Sequence, residues 1–439
     1  MGRSRSLRRV SVTAAVLALA ATSCLSEGGD SGGSGGGGGG DSTIEVMYGF
    51  SGDQSENFKA AVNAWAKTAG VTVKLSSTPD FDKLIRSRVA GNNVPDIAIF
   101  PQPGITLDIA KSGKMIDLNT VLDTGTYNKE KMYLFDAATD KDGKTFAIPM
   151  STSVKSLVWY PKKAFEAAGY KAPKSQAELL ALTEQIKRDG TTPWCIGIES
   201  QAATGWPATD WTEDYVLRFG GGEKYKQWVN HDIPFNDPVV KQALDEMAKI
   251  WFTEGNVLGG RKAIASTNFA TSGNPMFDNP PKCFLHRQAS FLAQAGNFPK
   301  QVVADIDNQA GVFALPPIEA GAGQPVMGAG DLAGLFNKED NTVKVLEYIL
   351  SKDLGNELAP KGGFISQWKD FDQSKYPNET MRAIAKVAYA STDAVFDGSD
   401  SMPGEVGSGS FWRGMVAWTT GQKDTDTVLS DIEKSWPSN

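Results

Sequence analysis

Two tryptophans and three carboxylates lie close together within residues 192–222. They are Trp206, Trp211, Asp210, Glu213 and Asp214. An indole ring can pack against the polarised C–H groups of a pyranose, and a carboxylate can accept hydrogen bonds from its hydroxyls. This combination predicts a carbohydrate site. The alternative is that both rings belong to a hydrophobic core, because tryptophan is often mostly buried for structural reasons; this segment alone favours neither interpretation.

The acidic residues also allow a second hypothesis, hydrolysis of a glycosidic bond. An acid and a nucleophile could be drawn from four residues: Asp210, Glu213, Asp214 and Asp331. Such a pair must stand about 5–9 Å apart with one raised pKa, and sequence spacing secures neither condition. A binding protein and a tethered glycoside hydrolase therefore both stay open. Binding of peptides or polyamines is a third, weaker hypothesis, because it would not explain paired tryptophans.

Cysteine and histidine usage indicates a disulfide and no metal centre. The two histidines, His231 and His286, stand at no ligand spacing, so we predict neither a metal nor a cofactor. In an exported chain Cys195 and Cys283 are expected to pair. Their bridge would close a loop of 88 residues (283 minus 195). On the entropy model it would constrain the unfolded chain by roughly 4–5 kcal/mol.

Length and charge limit the class of protein. A chain of 439 residues is too long for one core and predicts two or three domains. The net charge of −7 argues against a nucleic-acid partner.

The first 23 residues have the features of a secretory signal peptide. A basic beginning is followed by an apolar run over 10–21 that ends in small residues, too short to remain as a membrane span. Removing it takes four arginines, so the mature chain carries about −11 (−7 minus 4).

Residues 21–24 resemble a bacterial lipoprotein box, in which Cys24 is lipidated. Residues 24–43 then form a Gly/Ser-rich tether, typical of a flexible link to a surface anchor. The prediction is an exported lipoprotein on the outer face of the cytoplasmic membrane, on the periplasmic side where the source has an outer membrane. A lipid anchor alone would attach it.

The elements that must position these residues begin with a β-α-β-α-β pattern over 44–100. Such alternation predicts a parallel sheet, with ligands bound outside the carboxyl ends of its strands. Further on, 145–160 reads as an extended run with a polar break. Residues 194–198 read as a buried strand, followed by a polar loop carrying both indoles and a helix that ends at the glycines 220–222.

Several motifs taken together resemble one family. They are ATGWPATDW at 203–211, VNHDIPFNDP at 229–238, DNPPKCFLHRQASF at 278–291, GAGDL at 328–332, GGFIS at 362–366 and MPGEVGSGSFW at 402–412. The chain resembles the lipoprotein solute-binding proteins of bacterial ABC sugar importers, closest to the α-glucoside-binding branch. The resemblance spans essentially 44–439.

The resemblance implies an α/β, two-lobe, periplasmic-binding-protein-like fold with a central ligand cleft that closes about a hinge. It implies three crossings between the lobes, near 150–155, 287–292 and 328–336. Lobe one is expected to comprise 44–150 plus 288–328, and lobe two 151–287 plus 329–439.

The resemblance also implies a function and a set of ligand contacts. The protein would capture an α-linked di- or oligosaccharide without catalysis and deliver it, as a monomer, to ABC permease subunits. The implied contacts are Ser51, Asp80, Gln102, Trp206, Asp210, Trp211, Arg287, Asp331 and Trp412. Spacing alone would leave Arg287 and Asp331 as structural residues, and Trp412 could belong to the core.

Overall fold

The computed structural model describes residues 43–293 and 297–437. The predicted signal peptide, Cys24 and most of the tether lie outside these residues. Within the described ranges, no helix is long and apolar enough to cross a bilayer.

The strands lie between residues 44 and 396. In chain order they are β1 (Ile44–Tyr48), β2 (Val73–Ser77), β3 (Ile97–Phe100), β4 (Ala138–Thr139), β5 (Thr145–Pro149), β6 (Ser153–Val154), β7 (Leu157–Pro161), β8 (Thr192–Trp194), β9 (Cys283–Arg287), β10 (Ala310–Ala314), β11 (Pro325–Ala329), β12 (Leu332–Leu335) and β13 (Asp393–Phe396).

The helices pack around these strands. In chain order they are α1 (Gly52–Ala69), α2 (Phe81–Ala90), α3 (Pro103–Ala110), α4 (Lys162–Ala167), α5 (Gln176–Arg188), α6 (Trp206–Val229), α7 (Pro238–Trp251), α8 (Arg261–Ile264), α9 (Lys300–Ala304), α10 (Ile306–Gln309), α11 (Asp340–Leu350), α12 (Lys352–Leu358), α13 (Glu379–Tyr389), α14 (Gly398–Ser401), α15 (Trp412–Thr420) and α16 (Thr425–Glu433). A π-helical turn over Glu405–Phe411 precedes α15.

The first sheet confirms the predicted β-α-β-α-β pattern. Its strand order is β2-β1-β3-β12-β5-β4, and β1 pairs in parallel with both β2 and β3. Helix α1 buries Phe58 and Val62 and ends where Gly70 adopts a positive φ of 69°. The other half of the sheet is antiparallel, because β12 enters between β3 and β5 from far along the chain.

Two smaller sheets complete the fold. The second sheet has the order β10-β7-β9-β8, and the third has the order β13-β11-β6. The extended run predicted over 145–160 is confirmed: it supplies β5 to the first sheet, β6 to the third and β7 to the second. Residues 150–156 therefore cross between the first and second sheets.

The strand pairing corrects the other expected crossings and the lobe boundaries. Residues 330–331 form a second crossing, between β11 and β12. Strand β9 does not lead into the first sheet; the chain returns to the second sheet through β10. The third crossing is instead 369–379. At its start the N–H of Lys369 donates to the backbone oxygen of Lys131, and at its end the N–H of Glu379 donates to the carboxylate of Asp307.

Lobe one, defined by this pairing, contains the first sheet and residues 43–149 with 332–369; lobe two contains 157–293, 297–329 and 379–437. We expected β10, within 288–328, in lobe one and β12, within 329–439, in lobe two. Both expectations are wrong, because β10 pairs in the second sheet and β12 in the first. Each strand pairs with the sheet opposite to the one expected, and such long-range pairing leaves no local pattern in the sequence.

Helix α6 also differs from the prediction. It begins at Trp206, so the predicted polar loop around the two indoles is its first turns. The strand before it ends at Trp194, whereas we expected one over 194–198. The predicted glycine break is present: Gly221 has φ 72° and ψ 172° inside the helix, and the N–H of Gly222 donates to Asp393.

The predicted disulfide is present. Cys195 and Cys283 are bonded, with their Cα atoms 5.7 Å apart, and both residues are buried. The bond links the start of β9 to the segment that follows its parallel neighbour β8. It therefore fixes an edge of the second sheet.

We expect the double substitution C195A/C283A to lower the free energy of unfolding by about 2–5 kcal/mol, because the bond closes a long loop in the unfolded chain. Urea unfolding of the body without its tether measures this loss. The oxidised and reduced forms of the wild type serve as the control, since they separate loop closure from the lost sulfur packing. An unchanged unfolding midpoint in the double variant would contradict the expectation.

Candidate functional site

A buried charged cluster lies where residues 150–156 cross between the lobes. Lys155, on the crossing, places its Nζ 3.2 Å from Asp210 Oδ1 and in contact with the carboxylate of Asp397. Burial opposes the charge on this lysine, but the two carboxylates raise its pKa well above the ordinary value. The cluster therefore ties the crossing to α6 and to the segment that precedes α14.

Arg287, on β9, contacts the second oxygen of the same Asp210 carboxylate. Its Nη1 lies 3.2 Å from Asp210 Oδ2, and its Nε donates to Asp214 Oδ2 at 3.0 Å. Its Nη2 donates to the backbone oxygen of Asp210 at 3.0 Å. Asp214 is also paired with Arg218 at 2.8 Å. All these side chains are buried, so the structure places Arg287 in a structural ion network, with its nitrogens engaged by protein oxygens.

The acidic residues of α6 are likewise engaged. Burial raises the pKa of Asp210 to about 6, although Lys155 opposes the shift. Glu213 accepts hydrogen bonds from the N–H of Gly398 at 2.7 Å and of Ser399 at 3.1 Å. Burial, reinforced by neighbouring Asp397, raises the pKa of Glu213 well above its ordinary value. Glu213 therefore holds α14 against α6.

The two indoles occupy different environments. Trp211 is only 2% exposed, with ring centroids 5.4 Å from Trp194 and 5.8 Å from Trp251, so it lies in the core of lobe two. Trp206 is partly exposed, and Lys155 Nζ lies 5.4 Å from its ring centroid. Of the two predicted stacking rings, only Trp206 reaches the region of the crossing with exposed surface.

Two further rings stand beside Trp206 and were not identified from the sequence. Its centroid lies 5.0 Å from Phe269 and 6.2 Å from Phe291, and both phenylalanines are partly exposed. Phe291 is the last residue of the motif at 278–291, but neither phenylalanine is part of a periodic pattern, so neither was predicted as a contact. Trp206, Phe269 and Phe291 together are called the aromatic cluster below.

Trp412 packs next to this cluster through its backbone. A Cβ placed on Gly205 would lie 2.4 Å from the carbonyl oxygen of Trp412, so only glycine permits this approach before α6. The indole is partly exposed, but its Nε1 is buried and has no hydrogen-bond partner among the described residues. Trp412 thus carries an unused donor close to the start of α6.

Asp331 lies on the crossing between β11 and β12. Its side chain accepts a hydrogen bond from Gln54 Nε2 at 3.1 Å, and its backbone oxygen accepts one from Met150 at 2.8 Å. Burial raises the pKa of Asp331 to about 6, opposed by hydrogen bonds from Gln54 and Ser151. The structure therefore brings Asp331 to the two adjacent crossings. Gln54, on α1, was missed from the sequence.

The three predicted residues of lobe one follow the carboxyl ends of β1, β2 and β3, as expected. Ser51 and Asp80 are exposed and precede α1 and α2, without capping those helices through their side chains. Gln102 precedes α3 and donates through Nε2 to Asp400 Oδ1 at 2.6 Å. Its amide therefore contacts lobe two.

Comparison with known proteins identifies the family. Residues 51–355 match the family model described as bacterial extracellular solute-binding protein. The chain is 38% identical over 397 residues to the osmoprotective compounds-binding protein GgtB of Synechocystis, covering 90% of this chain and 92% of that one. It is 37% identical over 418 residues to the alpha-glucosides-binding periplasmic protein AglE of Rhizobium meliloti, covering 90% and 87%.

A solved structure supports the fold. The solute receptor AcbH, described as preferring β-D-galactopyranose, superposes with a TM-score of 0.73 at 18% identity and covers 90% of this chain and 97% of its own. The fold has two lobes joined by three crossings, and both the family model and relatives of similar length match the chain. These findings lead to one assignment. This chain belongs to the bacterial extracellular solute-binding protein family.

Proposed function

We propose that this protein captures an α-glucoside and delivers it unchanged to an ABC importer. The observation that carries the proposal is the partly exposed ring of Trp206, held over Lys155 at the crossing between the lobes. One relative of similar length binds alpha-glucosides by name and another binds osmoprotective compounds. A neutral polyol in the di- or oligosaccharide range fits both descriptions.

The aromatic cluster and Asp331 supply the chemistry that a sugar needs. The rings offer apolar surface to the C–H face of a pyranose, and the carboxylate of Asp331 accepts hydrogen bonds from hydroxyl groups. The free Nε1–H of Trp412 can donate to a sugar oxygen. Ser51 and Asp80 complete the proposed contacts from lobe one. Trp211, Arg287 and Asp210 support the site from the core and do not themselves contact the ligand in this proposal.

Capture without hydrolysis is consistent with the state of the carboxyl groups. Asp210 and Asp214 are held by Arg287, and Glu213 accepts two backbone N–H groups. These acids are buried in the body of lobe two and already have protein partners, whereas a glycosidase needs one carboxyl group free to act as the acid and another as the nucleophile. Sustained nitrophenol release from p-nitrophenyl α-glucosides would overturn this part of the proposal.

The remaining parts of the proposal concern the membrane anchor, the permease partner and the oligomeric state. Lipidation at Cys24 would hold it at the outer face of the cytoplasmic membrane, and the tether would let the two lobes reach permease subunits. Closure of a single chain over its ligand needs no second copy, so we expect a monomer. Palmitate labelling that depends on Cys24 would support the anchor.

Calorimetric titration with trehalose, sucrose, maltose and longer maltodextrins tests the proposed ligand class. We expect micromolar or tighter binding of at least one α-linked saccharide, about −8 kcal/mol or better. Glucose and a β-linked disaccharide are the controls. Failure of every α-linked saccharide to bind would refute the proposal.

The two indoles should respond oppositely to substitution. We expect W206A to weaken sugar binding about fivefold or more, because it removes a stacked ring worth about 1 kcal/mol, with little change in melting temperature. We expect W211A to destabilise the fold by about 3–5 kcal/mol, because it empties a core position. Titration calorimetry and thermal unfolding of both variants measure this; the reverse assignment of effects would contradict it.

Sugar affinity should fall as the pH is lowered through about 6. In the free protein burial raises the pKa of Asp331 to about 6, and hydroxyl groups donate better to its charged form. Binding is therefore strongest above that pH and should weaken by up to about tenfold per unit well below it. D331N, which keeps the shape but not the charge, should bind more weakly at pH 7.5 and lose most of this pH dependence. An unchanged pH profile in D331N would contradict the role of Asp331.

A further inference from the structure

The start of α3 makes direct contact with lobe two. Gln102 donates to Asp400 Oδ1 at 2.6 Å, although the two residues belong to different lobes. At Gly104 the backbones approach even more closely: a Cβ built there would lie 2.9 Å from the carbonyl oxygen of Met402 and 3.0 Å from that of Asp400. Any side chain at position 104 would collide with main-chain atoms. Gln102 and Gly104 against residues 400–402 are called the closure contact below.

The lobe-two half of this contact is rigidly held. The N–H of Asp400 donates to Asp397 Oδ1 at 3.0 Å, and the hydroxyl of Ser401 donates to the backbone oxygen of Asp397 at 2.8 Å. Asp397 in turn contacts Lys155 on the crossing. A continuous set of hydrogen bonds therefore runs from α3 of lobe one, through Asp400 and Asp397, to the segment about which the lobes would move.

Other interlobe polar contacts are weaker candidates for the same role. Lys226 and Asp136 pair across the lobes at 3.2 Å, but both side chains are about half exposed. Exposed ion pairs contribute little because water screens them. The closure contact is different, since it combines a partly buried hydrogen bond with a main-chain approach that only glycine allows.

We propose that Gln102 and Gly104 are closure residues, which hold the shut form by binding lobe two directly and do not contact the sugar. The inference rests on the proposed function and revises the role of Gln102, which the family resemblance implied to be a ligand contact. In the shut form the amide of Gln102 is occupied by Asp400. The closure contact would then determine how long a captured sugar stays, because release requires that it break.

Two substitutions test this proposal. G104V places a branched side chain against the carbonyl groups of 400–402, and Q102L removes the amide with little change in size. We expect each to raise the sugar dissociation rate by up to about tenfold, as loss of a hydrogen bond between the lobes would, while the association rate stays near that of the wild type. Small-angle scattering at saturating sugar should give a larger radius of gyration for G104V.

The matched control is G125V, because Gly125 lies in an exposed loop of lobe one and has φ outside the left-handed region. It should match the wild type in both rates and in scattering. If Gln102 contacts the sugar instead, Q102L will weaken binding but the saturated complex will keep the wild-type radius of gyration, and G104V will bind normally. That pattern would overturn the proposal.

The test separates this proposal from the proposed function. If the wild type binds no saccharide, the function fails, and the closure contact is then judged by scattering without sugar. Identical radii of gyration for the wild type, Q102L and G104V under every condition would overturn it. Thermal unfolding identifies a variant that fails to fold; if G104V is lost in this way, Q102L decides the result alone.

Discussion

The fold of lobe two depends on neutralising charges that are buried in its interior. Asp210 and Asp214 lie one turn apart on α6, and neither meets water; each is held by a cation from another segment, Lys155 from the crossing and Arg287 from β9. Removing one partner of such a pair leaves an uncompensated buried charge, which is far more costly than losing a surface pair. The network therefore fixes the position of α6 relative to the crossing and the second sheet.

This constraint explains why the two tryptophans differ. Once α6 begins at Trp206, a residue five positions later points about 140° away around the helix axis. The face that carries Trp211 enters the core, so the face that carries Trp206 must look toward the crossing. A loop, as the sequence suggested, would have imposed no such relation. Thr209 and Asp210 have weak helix propensity, so the sequence did not predict a helix at the start of α6. The helix is evident only in the folded structure, where its buried acids are paired.

Local features could be predicted from the sequence, and long-range ones could not. The first three strands with their helices and the disulfide follow from short patterns and from cysteine usage. The insertion of β12 into the first sheet does not, since an antiparallel neighbour can come from any distance along the chain. For the candidate site, the motifs led us to propose Trp206 and Asp331, but Phe269 and Phe291 become neighbours of Trp206 only through folding.

For Arg287 the family resemblance and the structure indicate different roles. The resemblance implies that the guanidinium contacts the ligand, yet in the structure its nitrogens are hydrogen-bonded to Asp210 and Asp214. In the proposed function the residue would still support binding, because it holds α6, the helix that begins with Trp206. The closure contact follows the same principle from the other lobe: Gln102 follows a strand at the cleft edge, where ligand contacts are expected, but its amide is directed to Asp400. In the proposed function, sugar binding therefore depends as much on contacts within the protein as on the groups that touch the sugar.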